Sequence, residues 1–321
     1  MKVKNGVSMI DPRTMYPNLK LPVIAAPMFL VSGPELVIAA CKAGIGGSFP
    51  STNTRTIKEL DEWMGKVSDN VTSDDAPWVM NLITHSTRRE RLEEELKLVA
   101  KYKPSMVITA LGSPKPVMET VKSYGGLVFA DVIDLKLARK SIEAGVDGLA
   151  CISAGAGGHT GFLSPFAFIS AIREFFDGYI AVGGGISDGA GVAGAIAAGA
   201  DYVYMGTRFL PAIESMAQEE YKQMVIDADM DDLVISDAVT GTSASGLRPS
   251  LVAAGLDPDS PASATTRDYS GGVAKRWRDV WAAGQGVGRS RSKESVADIV
   301  NDLQKEYKAA TQRFETLTRD I

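Results

Sequence analysis

Histidine and cysteine are scarce in this chain, and that scarcity narrows its chemistry. The only histidines are His85 and His159, and the only cysteines are Cys41 and Cys151. With no Cys-x-x-Cys pair, a zinc or other transition-metal centre lacks ligands, so no metal is expected. Both cysteines lie within apolar runs and read as small core residues rather than a disulfide framework. Basic residues are not in excess either. The formal charge is −5, which argues against a nucleic-acid partner, because phosphate binding calls for a cationic surface. The first residues lack the apolar core of a signal peptide, and no unbroken apolar run could span a bilayer. These absences predict a soluble cytoplasmic protein with no membrane partner. Hydrolase signatures are missing too: there is no Gly-x-Ser-x-Gly elbow and no pair of carboxylates at neighbouring strand ends.

What the chain does contain is alternation. Apolar runs at Leu21–Met28, Ile45–Pro50, Trp78–Thr84, Met106–Leu111, Leu127–Val132, Gly148–Ile152, Tyr179–Gly183 and Asp201–Gly206 read as strands. Helical stretches lie between them; Ser32 and Glu35, at capping-box spacing, predict the start of the first. Strands that are apolar throughout belong to a parallel sheet covered by helices. Eight such repeats in about 200 residues predict an α/β fold, a (β/α)8 TIM barrel. Beyond Pro211 the pattern becomes helical and charged. The expected organisation is a barrel over residues 1–213 and a C-terminal helical extension over 214–321, set beside the barrel mouth or serving as a homodimer surface.

Active sites of such barrels sit at the C-terminal strand ends. Those ends carry Ala26, Pro27 and Met28, then Asn81, Thr109 and Asp131. Next comes Ala154–Gly161, whose Gly157 and Gly158 precede His159. The last two ends are Gly183–Gly184–Gly185 and Met205–Gly206–Thr207–Arg208. Bare glycine backbone at the last two strands is where barrels commonly hold a phosphate. Asn81, Thr109 and Asp131 are hydrogen-bonding groups suited to the polar edge of a planar heterocycle. A phosphate at one end and a flat ring over the barrel axis point to non-covalent FMN, with the cofactor carrying the hard chemistry. Gly284-Gln285-Gly286-Val287-Gly288 has neither the strand nor the helix that a dinucleotide fingerprint requires.

The stretches Pro22–Pro34, Gly47–Asn53, Asn81–His85, Ile108–Gly112, Ala154–Gly161 and Tyr204–Phe209 together resemble the FMN-dependent nitronate monooxygenase (2-nitropropane dioxygenase) family. Within it, Ala26–Ser32, Gly47–Pro50 and Tyr204–Phe209 look most like the NADH:quinone reductase subgroup. The resemblance implies that Ala26–Met28 and Asn81 contact the flavin ring, and that Gly157, Gly184, Gly185 and Met205–Arg208 hold the ribityl phosphate. It makes His159 the residue beside the flavin and the catalytic base in nitronate oxidation. Pro77 matches a proline that restricts nicotinamide access and favours NADH. The expected reaction is NADH oxidation followed by quinone reduction; the alternative is oxidation of alkyl nitronates with O2. One departure is visible: Ile152 and Gly155 stand where enzymes that oxidise nitronates commonly carry Gln and Glu.

Overall fold

The computed structural model describes residues 16, 18–237, 243–258 and 280–319. Eight parallel strands close into a barrel in the order β1 (Val23–Ala25), β2 (Gly46–Pro50), β3 (Trp78–Ile83), β4 (Met106–Ala110), β5 (Leu127–Val132), β6 (Gly148–Ile152), β8 (Tyr179–Gly183) and β9 (Tyr202–Met205). Helices α1 (Pro34–Ala43), α2 (Ile57–Asn70), α3 (Arg89–Tyr102), α4 (Lys115–Ser123), α5 (Leu135–Glu143), α6 (Pro165–Arg173) and α7 (Gly189–Ala197) alternate with them. The TIM barrel expected from the alternation is the observed fold. β1 is shorter than its apolar run because Pro22 and Pro27 flank it and neither has an N–H to give a ladder.

Strand periodicity divides the core in two. One set of side chains, including Ile24, Val79, Ile108, Phe129, Ala150, Ala181 and Tyr202, fills the barrel interior. The alternate set, including Val107, Val128, Ala130, Cys151 and Val182, packs between strands and helices. This is the two-residue period of a pleated strand acting in every element. The expected Ser32–Glu35 capping box does not form. Gly33 is the N-cap of α1 and has no side-chain cap bond; Ser32 is used in the preceding loop instead.

The C-terminal segment departs from its expected role. After β9 comes only a short 3-10 turn, Thr207–Phe209, and no α-helix of the barrel ring. The place is taken by α10 (Val296–Thr318), which packs on α7 and α1 and contributes Val296, Ile299, Val300 and Leu303 to the barrel–helix core. Gly189 lets α7 lie directly against Leu303 and Tyr307. α10 therefore takes the place of the eighth helix of the barrel. Between β9 and α10 lie α8 (Glu219–Asp227), β10 (Leu233–Ser236), β11 (Ala244–Leu247) and α9 (Arg248–Ala253). β10 and β11 form an antiparallel ribbon that continues onto β7 (Gly158–His159). The ribbon, not a helix, is what reaches the barrel mouth. Val239–Pro249, which reads from the sequence as a polar, glycine-containing connection, falls partly outside the described residues, as does most of Leu256–Gly272, a stretch rich in Pro, Ser, Asp and Thr. Among the described residues no helix is long and apolar enough to cross a membrane.

Candidate active site

One wall of the mouth is the loop after β1. Ala26, Pro27 and Met28 are half-buried, and Phe29 and Leu30 are exposed. The loop is tied from both sides. The Met28 N–H donates to Ser32 Oγ (3.0 Å), and that hydroxyl donates to Ala26 O (3.2 Å). Asn53 accepts from Leu30 N–H (2.8 Å) and donates through Nδ2 to Met28 O (3.0 Å) and Ser32 O (2.7 Å). These bonds hold Leu30 at φ 60°, a region costly for a branched residue. With the N–H groups of Ala26 and Met28 engaged, the loop offers a shaped apolar shelf rather than backbone donors. Asn53→Ala should release this shelf. At roughly 1 kcal/mol per net hydrogen bond, thermal unfolding should shift down by several degrees; an unshifted curve would contradict the stapling role.

The floor is set by the interior side chains nearest the mouth. Asn81 is buried, donates through Nδ2 to Ile108 O (3.2 Å), and shares the interior face of β3 with Val79. Asp131 shares the interior face of β5 with Leu127 and Phe129. Its Oδ1 is sealed from solvent with no hydrogen-bond partner, and burial pushes its pKa up to about 7. Thr109 does not belong to this floor. Its ladder partners Leu82 and Ala130 both lie in the outer core. Its hydroxyl donates to Phe129 O (3.1 Å). A strand-end position thus selects Thr109 from the sequence, but the two-residue period turns it away.

Pro77 is also excluded from the mouth. It precedes β3, so it lies at the N-terminal end of a parallel barrel, opposite the active face. It is buried, and its carbonyl accepts from Gly47 N–H (3.2 Å). His85 caps the turn Ser86–Arg88 before α3, with Nδ1 2.8 Å from Thr87 Oγ1.

The opposite wall is glycine backbone packed on glycine backbone. A Cβ placed on Gly157 would lie 2.7 Å from Gly284 N, and one on Gly183 would lie 2.8 Å from Tyr204 O. At Gly184, with φ 138°, a Cβ would lie 2.6 Å from Ala154 O. The N–H groups of Gly185 (3.1 Å) and Gln285 (2.8 Å) converge on Gly155 O, and Gly284 N–H donates to Thr207 Oγ1 (2.9 Å). Among the described residues, the N–H groups of Gly184 and Gly206 have no hydrogen-bond partner. They lie at adjacent strand ends, where an anion can be met by bare backbone. Gly206 also faces Ala26 and Met28, so this corner adjoins the apolar shelf. Gly284–Gly286 completes the wall, and exposed Gln285 has its Oε1 beside Gly155. The Gly-Gln-Gly signal was present in the sequence, but its place is fixed by packing against residues distant in the chain, from Thr207, 77 positions away, back to Gly155.

Arg208 follows Gly206 and Thr207 but offers no cation to this corner. It is buried and bonded to Glu294 Oε2 (2.8 Å) and Ser290 Oγ (3.3 Å). A buried guanidinium demands such a partner, and the pair ties the β9 loop to the segment that leads into α10.

His159 stands on the β7 ladder. It pairs with Ala244 and Gly158 pairs with Ser245, while Thr160 N–H donates to Ser243 O (3.1 Å). Ser245 Oγ in turn donates to Ala283 O (2.7 Å), linking the ladder to the glycine wall. The half-buried ring has its pKa lowered by desolvation, so the neutral imidazole is the stable form at neutral pH.

FMN fits this arrangement. The uncommitted N–H groups of Gly184 and Gly206 would take the phosphate. The floor presents buried polar atoms that lack partners, Asp131 Oδ1 and Tyr204 Oη, where a heterocycle has polar edges. Gly157, Gly158, Gly183, Gly185, Met205 and Thr207 would line the cofactor between them.

The nitronate monooxygenase family profile matches residues 79–306. Nitronate monooxygenase of Paraburkholderia phytofirmans is 26% identical over 94% of this chain and 97% of its own length. Among solved structures, FabK from Thermotoga maritima superposes with a TM-score of 0.79 at 23% identity, covering 96% of this chain and 99% of that one. Nitroalkane oxidase from Streptomyces ansochromogenes also gives 0.79, at 21% identity over 94% and 99% of the two chains. The two structures show the shared fold; the profile match carries the assignment. The chain belongs to the nitronate monooxygenase family and is a flavin-dependent oxidoreductase.

Proposed function

We propose that the protein oxidises alkyl nitronates with O2, using non-covalently bound FMN, and that His159 is the base beside the reacting carbon. The observation that carries this reading is the desolvated imidazole held on the β7 ladder at the mouth. A neutral imidazole accepts a proton readily. Little imidazolium stands ready at neutral pH, so the desolvated ring favours base chemistry over protonation of a reduced quinone. Names of full-length relatives point the same way, and Pro77 no longer supports a nicotinamide gate.

FMN, when bound, supplies the electron-accepting ring. The chain does the rest. The Ala26–Met28 shelf and Asn81 orient the flat ligands, Gly184 and Gly206 N–H groups fix the phosphate, and the apolar walls exclude water. His159 takes the proton from the carbon that bears the nitro group when the substrate arrives as the neutral nitroalkane. A substrate that arrives as the nitronate needs only positioning. Nitrite release and O2 consumption by the FMN-loaded enzyme, with propyl-2-nitronate and with 2-nitropropane, test this. Turnover of the nitronate is expected, and turnover of neither compound would refute it.

A second reading keeps NADH as reductant and a quinone as acceptor. It is favoured by the apolar rim: Phe29, Leu30, Leu111, Ile133 and Phe162 are exposed on loops that follow barrel strands, Phe162 to 92%. Such a rim suits a flat apolar acceptor larger than a short nitroalkane.

A further inference from the structure

Two polar groups at the barrel floor are left without partners although their surroundings are apolar. Asp131 Oδ1 and Tyr204 Oη are both closed to solvent and make no hydrogen bond. The two side chains are near enough for the carboxylate charge to raise the tyrosine pKa further. Both face the interior, Asp131 beside Phe129 on β5 and Tyr204 beside Tyr202 on β9. Leaving one buried polar atom unsatisfied costs about 1–3 kcal/mol, and two in one place ask for a ligand. Asp131 is half-buried and stands near the C-terminal, mouth-side end of β5. The pair therefore lies inside the barrel, below the strand ends that form the mouth.

We propose that Asp131, backed by Tyr204, is a hydrogen-bonding floor for the flavin ring, with the carboxyl acting as a neutral donor that favours the reduced cofactor. This rests on the FMN reading and goes beyond it. Reduction places extra electron density on the ring, and a neutral donor at its polar edge stabilises that density. An ionised carboxylate there would oppose it. Burial keeps the proton on Asp131 into the neutral range. Among the described residues no lysine or arginine moderates the site, since desolvation is the one cause acting on this group. The groups that feel its charge are Tyr204 and Cys151.

The test is FMN titration of the apo-protein, followed by the midpoint potential of the bound flavin at pH 6, for wild type, Asp131→Asn, Asp131→Ala and Tyr204→Phe. Asp131→Asn retains a neutral donor and should hold FMN and potential close to wild type. Asp131→Ala should weaken FMN about tenfold. It should also shift preference towards oxidised flavin by about tenfold, close to 30 mV lower for a two-electron couple. Tyr204→Phe should shift both in the same direction by less. Equal affinity and equal potential in Asp131→Ala would overturn the proposal. If wild type itself takes up no FMN, the cofactor reading fails and this inference with it. If Asp131→Ala does not fold, the isosteric Asp131→Asn and Tyr204→Phe decide: a Tyr204→Phe potential and affinity identical to wild type count against the floor.

Discussion

Replacement of His159 by Ala is expected to lower kcat/KM for a neutral nitroalkane by about 10²–10⁴-fold, the range of general base catalysis. FMN should still bind, because the glycine wall and the floor are untouched. A preformed nitronate needs no proton removed, so its turnover should fall much less. The pH profile carries a second signature. Activity on the nitroalkane requires the neutral ring, so it is present above the pKa of His159 and lost as pH falls through it. Burial lowers that pKa from its ordinary 6.5. The base should therefore give no rise in rate above pH 7, with its acid limb below the ordinary histidine range. An unchanged nitroalkane rate in His159→Ala, or a wild-type profile still rising above pH 7, would refute the base.

The second large effect is expected at Gly184. Its φ of 138° is closed to a side chain, and a Cβ there would press on Ala154 O at 2.6 Å. Gly184→Ala must move backbone that offers its N–H to the phosphate. Loss of FMN affinity of about 100-fold, near 2.7 kcal/mol, is expected. Gly125 is the matched control: its φ is 82°, and nothing lies within 4 Å of an added Cβ. Gly125→Ala should cost only backbone strain, about 1 kcal/mol of stability, and leave FMN binding intact. Fluorescence titration of FMN into both apo-proteins checks the contrast. Equal losses would mean that φ alone, and not the cradle, governs Gly184.

The barrel was legible because its strands are buried on both faces and therefore read as unbroken apolar runs. The glycine wall was legible in part, since Gly183–Gly185 and Gly206 stand directly after such runs. Strand-end position picks out Thr109, whereas the two-residue period sends it to the outer core. Pro77 comes from the resemblance alone; as the residue before β3 it stands at the N-terminal end of the barrel. The last helix is legible as a helix but not as part of the barrel. Val296–Thr318 reads as a charged tail, and only its stripe of Val296, Ile299, Val300 and Leu303 reveals the buried face. The ribbon was hidden for another reason. Ala244-Ser245-Gly246-Leu247 has small residues and little β-propensity, and its strand character comes from pairing with Leu233–Ser236 and Gly158–His159. Non-local pairing of this kind leaves no local trace, yet it is what fixes His159.

The most direct test of the functional account is anaerobic reduction of the FMN-loaded protein, followed by flavin absorption. Addition of an alkyl nitronate should bleach the flavin, and admission of O2 should restore it, while NADH should act slowly or not at all. Rapid bleaching by NADH that a quinone reverses, with no response to nitronate, would contradict nitronate oxidation and establish the nicotinamide–quinone reaction in its place.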